Sequence, residues 1–129
     1  MNYEELLTRY PILFSKFSYF ECNNGWFYII NDASFELEQI NRSFSNPEYK
    51  VVAFQIKDKF GSLRYYVEFS DALVEDEPVY NKVSNKVYTI LQKVENLSSK
   101  VCQSCAGELS VRNSTKGYKE VYCEKCSTK

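Results

Sequence analysis

The sequence predicts an α+β fold in which helices pack on an antiparallel β-hairpin or small sheet, followed by a C-terminal module built on four cysteines. Two long segments carry apolar residues at helical spacing, and the segment between them alternates apolar and polar residues as paired strands do. Two Cys-x-x-Cys pairs then follow close to the end of the chain. We expect residues 1–98 to form the α+β core domain and residues 99–129 the cysteine module.

The first predicted helix runs from Asn2 to Tyr10, where apolar side chains recur every three or four residues. Pro11 ends or bends it, because proline has no backbone N–H to donate. The stretch from Ile12 to Cys22 is rich in aromatic residues but has no clean period, so it is interpreted as a packed connector.

The first long helix is predicted from about Gly25 to Arg42, with Asn24 as its cap. Its apolar residues are spaced by three and four, which places them on one stripe: Trp26, Ile30, Ala33, Leu37, Ile40 and Phe44. Asp32, Glu36 and Glu38 also lie on this helix, and carboxylates at such positions are expected at the surface.

The segment that follows predicts a β-hairpin with a four-residue loop, Asp58–Gly61, in which Gly61 supplies a positive φ. In that register Lys57 is opposite Ser62 and Gln55 is opposite Arg64. One face is then the core side and holds Val52, Phe54, Ile56, Leu63, Tyr65, Val67 and Phe69. The other face is mostly polar, although it includes Val51 and Ala53.

A second long helix is predicted from about Val79 to Leu97. Its apolar stripe consists of Val79, Val83, Val87, Ile90, Val94 and Leu97. Pro78 suits the first turn of a helix, and the acidic run Glu75–Glu77 lies where the helix dipole favours negative charge.

The four C-terminal cysteines are predicted to bind one structural Zn²⁺. Cys102 and Cys105 form the first Cys-x-x-Cys pair, and Cys123 and Cys126 form the second, seventeen residues further on. Thiolates in two such turns supply four tetrahedral ligands. The residues between the pairs suggest a ribbon hairpin, with strands at 109–112 and 118–122. A redox dithiol pair is the alternative, although it more often shows a single Cys-x-x-Cys at a helix start.

Composition and charge exclude several classes of function. The longest uninterrupted apolar run, Trp26 to Ile30, is far shorter than the ~20 residues that cross a bilayer, so we expect a cytoplasmic protein without membrane segments. The formal net charge is −1, which does not favour nucleic-acid binding through a basic surface. Residues 1–98 are acidic overall, and residues 99–129 are mildly basic.

The chain has no histidine, which weakens enzyme interpretations because the usual general base is missing. Cys22 is therefore expected to be a buried packing residue. Gln55-x-Lys57 resembles the active-site strand of some metal-dependent nucleases, but the sequence predicts no upstream strand that presents the acidic residue such a site needs. We expect no enzymatic activity.

The polar face of the hairpin contains the candidate binding residues Gln55, Lys57, Arg64 and Tyr66, with Lys59 and Phe60 in the adjacent loop. Basic groups interleaved with rings can bind phosphates and stack on bases. The pattern alone favours a solvated or helix-covered sheet face with Phe60 in the core over a binding face. Trp26 is a further candidate, although a role as a core anchor is favoured over ligand stacking.

Three blocks of sequence, together with the cysteine pairs, resemble a family of small proteins of no assigned activity that are encoded by phages, prophages and bacteria. The blocks are Tyr10–Phe14, Glu21–Phe27 with its Gly-Trp pair, and Gln55–Tyr66, which contains a Lys-x-Lys-Phe-Gly-x-Leu-Arg motif. The chain departs from the family pattern at Asn24, where an acidic residue is expected.

The resemblance implies a phage-type accessory protein in a bacterial host cell, where small non-enzymatic proteins often bind and block a host factor. We therefore expect a zinc-containing binding protein that inhibits a host protein, such as a component of a defence system. The alternative is a sponge or sensor that binds a nucleotide signal or nucleic acid through Lys57, Lys59, Arg64 and Tyr66. A metal-dependent enzyme is the third hypothesis.

Overall fold

The computed structural model of the protein describes residues 2–17 and 19–102, and the backbone of two strands at 113–115 and 118–120. The elements are α1 (Glu4–Arg9), β1 (Phe20–Glu21), α2 (Phe27–Ser43), β2 (Val51–Lys59), β3 (Ser62–Phe69), α3 (Asp71–Glu75), α4 (Glu77–Ser98), β4 (Asn113–Thr115) and β5 (Tyr118–Glu120). A 3₁₀ turn, Asn24–Trp26, leads into α2. The predicted α+β class is confirmed.

The main sheet has three strands in the order β1-β2-β3, and it is mixed rather than a hairpin alone. β1 runs parallel to β2, with Phe20 opposite Ile56 and Glu21 opposite Lys57. The region interpreted as a connector therefore contains a strand, which at two residues is too short to show alternation in the sequence. β2 and β3 form the predicted antiparallel hairpin.

The hairpin closes with a tighter turn than the sequence predicted. Lys59 is opposite Ser62, so the loop consists of Phe60 and Gly61 alone, and the predicted four-residue loop and its register are wrong. Both loop residues have positive φ, 55° and 83°, as a type I′ turn requires. The positive φ predicted for Gly61 is confirmed. Asp58 supports the turn, because its Oδ1 accepts the Gly61 N–H at 3.0 Å.

A β-bulge at Phe54 changes which residues of β2 face the core. Ala53 is opposite Val67 and Gln55 is opposite Tyr66, so Phe54 is the extra residue. The alternation therefore shifts by one residue along β2. Val51 and Ala53, expected on the polar face, are fully buried, and Phe54, expected in the core, is 44% exposed.

The helices cover one face of the sheet, because α4 packs against both β3 and α2, and α2 packs against β2. The predicted stripe of α2 is confirmed for its first four residues, which are buried, and its last two are partly buried. Asn24 lies within the 3₁₀ turn and does not cap α2 through its side chain. Its neighbour Trp26 is fully buried, and the indole Nε1 donates to the Val101 carbonyl at 3.2 Å.

Two polar side chains of α2 are buried where they bind the backbone of other segments. Glu38, expected at the surface, is 1% exposed, and its two oxygens accept the backbone N–H groups of Ile12 and Leu13 at 3.1 and 3.0 Å. Asn41 bonds both backbone polar groups of Val51, at 2.8 and 2.9 Å. These contacts attach the aromatic segment and the start of β2 to the same helix.

The second long helix begins and ends close to the prediction, with Pro78 in its first turn. The short helix α3, which was not predicted, precedes it. The stripe fails at its last position, because Leu97 is 40% exposed and Ser98 is fully buried. Ser98 is buried because its Oγ accepts the Leu63 N–H at 2.9 Å, at the outer edge of β3.

Strands β4 and β5 form an antiparallel pair between the two pairs of cysteines, with Ser114 opposite Lys119. The strand predicted at 109–112 lies outside the described residues, and the second strand begins at Tyr118 as predicted. Within the residues that the structure describes, no helix is long and apolar enough to cross a membrane.

Candidate binding face

The candidate site is the face of the main sheet that points away from the helix layer, which we call the outer face. Ile56 and Tyr65 are an opposed pair whose side chains are buried beneath the helices. Because neighbouring residues of a strand point to opposite sides, the residues adjacent to this pair lie on the outer face. These residues are Gln55, Lys57, Arg64 and Tyr66. They are joined by Glu21 of β1, which is opposite Lys57, and by the bulge residue Phe54.

The outer face has an aromatic centre. The Phe54 and Tyr66 ring centroids are 5.9 Å apart, with an interplanar angle of 36°. Tyr66 is directly opposite Gln55, and Tyr19, immediately before β1, is exposed. Large rings left at the surface in this way are typical of protein–protein interfaces, where Tyr and Phe are enriched.

Charged side chains form a row across the three strands and α4. Glu21 is opposite Lys57, and Lys57 is opposite Arg64. The Arg64 Nη1 then lies 3.2 Å from Glu95 Oε1. The order of charges is negative, positive, positive, negative, so the row is neutral overall and its two cations are adjacent.

The tip of the hairpin presents an aromatic residue in an unfavourable backbone conformation. Phe60 is 64% exposed and has φ of 55°, in the left-handed region where Asn or Gly at this turn position would be favoured. A bulky residue there costs about 1 kcal/mol or more. Residues that break a local rule in this way are expected at functional sites.

A cleft of about 420 Å³ lies between the hairpin tip and the end of α4. It is lined by Lys59, Phe60, Ser62, Arg64, Glu95, Asn96 and Ser99. Two of these side chains are cations. Glu95 and the carbonyl end of α4, where the helix dipole is negative, offset part of their charge. The cleft is therefore only weakly attractive to anions.

The structure brings most of the sequence-predicted binding residues together. Gln55, Lys57, Arg64 and Tyr66 form two adjacent cross-strand pairs of the outer face, even though the register differs from the predicted one. Lys59 and Phe60 flank the tip of the same hairpin. Trp26 is absent from this group, because its side chain is fully buried in the core.

Sequence reasoning missed three contributors to the site. Phe54 reaches the outer face through the bulge, which strict alternation cannot anticipate. Glu95 reaches it from α4 through its ion pair with Arg64. Glu21 reaches it through the two-residue strand β1, so an upstream strand does present an acidic residue beside Lys57, contrary to the prediction.

The surroundings of Cys22 disfavour the thiolate form. Its side chain is half-buried, and its Sγ donates to the Tyr3 hydroxyl at 3.6 Å. Burial raises the pKa of the thiol to about 11, and the nearby carboxylates of Asp58 and Glu21 act in the same direction. The thiol is therefore protonated at neutral pH, whereas nucleophilic and metal-binding cysteines act as thiolates.

Of the four predicted zinc ligands, Cys102 lies within the described residues, and its side chain is fully buried. Cys105, Cys123 and Cys126 lie outside them. Across the part of the chain that the structure describes, no three His, Cys, Asp or Glu side chains are grouped as a metal site.

Comparison with protein-family models, curated proteins and solved structures found no match for this chain.

Proposed function

We propose that the protein is a non-enzymatic binding protein whose outer face and hairpin tip dock on another protein. The observation that carries this proposal is the exposed ring of Phe60 at positive φ. A sequence that maximised stability would place Asn at this position, next to Gly61. Retaining a phenylalanine at the tip is explained if its ring fills a pocket on a partner.

The charges of the outer face favour a protein partner over nucleic acid. Nucleic-acid surfaces use several unpaired cations to displace counterions. Here Arg64 is already paired with Glu95, and Lys57 has Glu21 beside it. A neutral row next to exposed rings fits a protein surface that offers an apolar pocket and one carboxylate for the adjacent cations.

The four C-terminal cysteines would hold one structural Zn²⁺ in this proposal. Their spacing and soft thiolate chemistry support the metal, as does the short strand pair between the two Cys-x-x-Cys turns. Zn²⁺ with four thiolate ligands has no open position, so its role is to fold the tail. The resemblance to small phage and prophage proteins suggests a host protein, such as a defence-system component, as the target.

The test is affinity capture from the bacterial host with the wild type and Phe60→Asn. Asn suits the turn, so the variant keeps the fold, and its melting temperature is expected to rise by about 3 °C. A protein that binds the tip is expected to be retained at least tenfold less by this variant. Equal capture by both proteins, measured by quantitative mass spectrometry, overturns the proposal.

The matched control is Tyr88→Ser. Tyr88 is 67% exposed on α4, so its ring is as accessible as that of Phe60 but lies on a different element. Capture by this variant is expected to equal that of the wild type. A loss shared by the two variants would mean that exposed rings bind host proteins without specificity, which also contradicts a defined interface.

The second candidate function is binding of a nucleotide in the cleft at the hairpin tip. The favouring observation is the combination of Lys59, Arg64 and the Phe60 ring around about 420 Å³, a volume that accommodates a small ligand. ATP, GTP and a cyclic dinucleotide are the probes in a thermal-shift assay. A stabilisation lost in Arg64→Ala supports this function, and no shift at millimolar nucleotide contradicts it.

A further inference from the structure

A second apolar surface lies on the opposite layer of the molecule, in a groove between α2 and α4. The groove encloses about 120 Å³. It is lined by Tyr28, Ile29, Asp32, Ala33, Glu36, Ile90, Lys93, Val94 and Leu97. Tyr28 is 57% exposed and Leu97 is 40% exposed. Large side chains that pack between two helices are ordinarily buried, so these two form an exposed apolar patch.

The two walls of the groove carry opposite charges. On α2, Tyr28, Asp32 and Glu36 are spaced by four residues and share one side of the helix. On α4, Lys93 lies one turn from Leu97 on the side that lines the groove. The ion pairs within the described residues, Arg9–Glu5 and Arg64–Glu95, include none of these charges.

We infer that this groove is the interface of a symmetric dimer of the chain. The N-terminal half of α2 lies beside the C-terminal half of α4 in the groove. A two-fold axis along the groove therefore sets α2 of one copy on α4 of the other. Asp32 then meets Lys93 of the second copy, and Tyr28 meets Leu97 of the second copy. Each contact occurs twice, as an isologous interface requires.

Charge complementarity favours a second copy over a different protein. A two-fold axis in the orientation described sets the acidic side chains of α2, Asp32 and Glu36, against the side of α4 that carries Lys93 in the other copy. The four helices form an antiparallel bundle, an arrangement in which two amphipathic pairs bury their remaining apolar sides. The outer face lies on the other side of the sheet, so both copies keep it accessible.

The test is sedimentation equilibrium of the full chain with Zn²⁺, supported by native mass spectrometry. The wild type is expected to have twice the 15.1 kDa mass of one chain. Asp32→Lys and Lys93→Glu each set like charges against each other at two symmetric positions, so each is expected to weaken dimerisation at least tenfold. The double variant restores opposite charges, and its affinity should return to within about threefold of the wild type.

The control exchanges charges elsewhere on the surface. Lys16→Glu with Glu48→Lys alters two exposed residues that line a separate cleft, so it should leave the dimer intact. Two outcomes overturn the inference: a wild type that stays monomeric up to about 0.1 mM, or a dimer whose affinity is insensitive to both single reversals. Circular dichroism of each variant verifies that α2 and α4 are retained.

Discussion

Glu38 brings a carboxylate into the interior without leaving either oxygen unpaired. Besides the two backbone N–H groups of Ile12 and Leu13, it accepts from the Asn41 side chain at 3.3 Å. An apolar core would penalise an isolated carboxylate strongly, but here the charge is spread over three donors. One side chain thus ties the aromatic segment after α1 to α2.

Glu38→Gln is expected to lower the free energy of unfolding by about 2 kcal/mol, because the amide NH₂ replaces an acceptor opposite a backbone N–H. Urea denaturation followed by circular dichroism measures this change. Glu75→Gln is the matched control at an exposed position, expected within about 0.5 kcal/mol of the wild type. Equal stability of the two variants would mean that Glu38 has no structural role.

The half-buried thiol of Cys22 predicts a loss of stability in alkaline solution. Burial raises its pKa from 9.0 to about 11. Between these values the unfolded chain releases the proton and the folded protein keeps it, so stability is complete below pH 9 and falls as pH rises. The expected loss is about 2 kcal/mol across this window.

Cys22→Ala removes this contribution, so its stability should decline less steeply than that of the wild type from pH 8.5 to 10.5. The quantity compared is the slope of unfolding free energy against pH, because the substitution can also change stability by a constant amount at every pH. Burial also raises the pKa of Tyr3 and Tyr65 in both proteins. A parallel decline in the two proteins would contradict the assignment to Cys22.

At the scale of elements, the bulge in β2 decides which side chains the outer face presents. Deleting Phe54 would let Ala53 and Gln55 follow each other in one continuous ladder with β3. We therefore expect this deletion to fold, with a stability change near 1 kcal/mol, and to lose the exposed ring. Deleting Ile56 is the control, because it moves Gln55 to the core side, where it should cost about 3 kcal/mol or more.

Amide NMR spectra of the two deletions measure the outcome. Dispersed signals for the Phe54 deletion and collapsed signals for the Ile56 deletion are expected. If the Phe54 deletion unfolds the chain, the bulge is needed for the twist of the sheet and its role is not limited to exposing a ring.

The elements also show what the sequence could and could not predict. Helical periodicity identified α2 and α4 because seventeen and twenty-two residues repeat the signal several times. The register of the hairpin was mispredicted because the turn uses Phe60 at positive φ, where turn chemistry favours Asn. The outer face was still recognised, since Gln55, Lys57, Arg64 and Tyr66 keep their parity relative to one another in either register.

At the scale of the whole molecule, the burial of Ser98 and the exposure of Leu97 follow from a contact that periodicity does not encode. The Ser98 hydroxyl accepts the Leu63 N–H and donates to the Glu95 carbonyl at 2.8 Å. Likewise, the buried Glu38 depends on segments twenty-five residues away. Local pattern predicts the elements, whereas long-range hydrogen bonds decide which polar residues enter the core.

Removal of zinc is expected to act on the C-terminal module and spare the core. Among the described residues, the core cluster and the side chains packed against it lie between Tyr3 and Val101, N-terminal to all four cysteines, so we expect its packing to persist without the metal. With a chelator, hydrogen exchange should accelerate at 102–126 while the amides of α2 and β2 stay protected. One bound Zn²⁺ per chain in the native protein is the accompanying expectation, and loss of protection throughout the chain would contradict two separable modules.

The hydrogen bond from Trp26 to Val101 makes tryptophan fluorescence a reporter of the contact between the core and the segment at Val101. Trp26 is the chain's only tryptophan, so its fluorescence comes from one place, where the core meets the segment that leads to Cys102. Detachment of that segment would expose the indole to water and shift its emission to longer wavelength. Detachment of the segment at Val101 can thus be timed in unlabelled protein, in a stopped-flow experiment that starts with the addition of chelator.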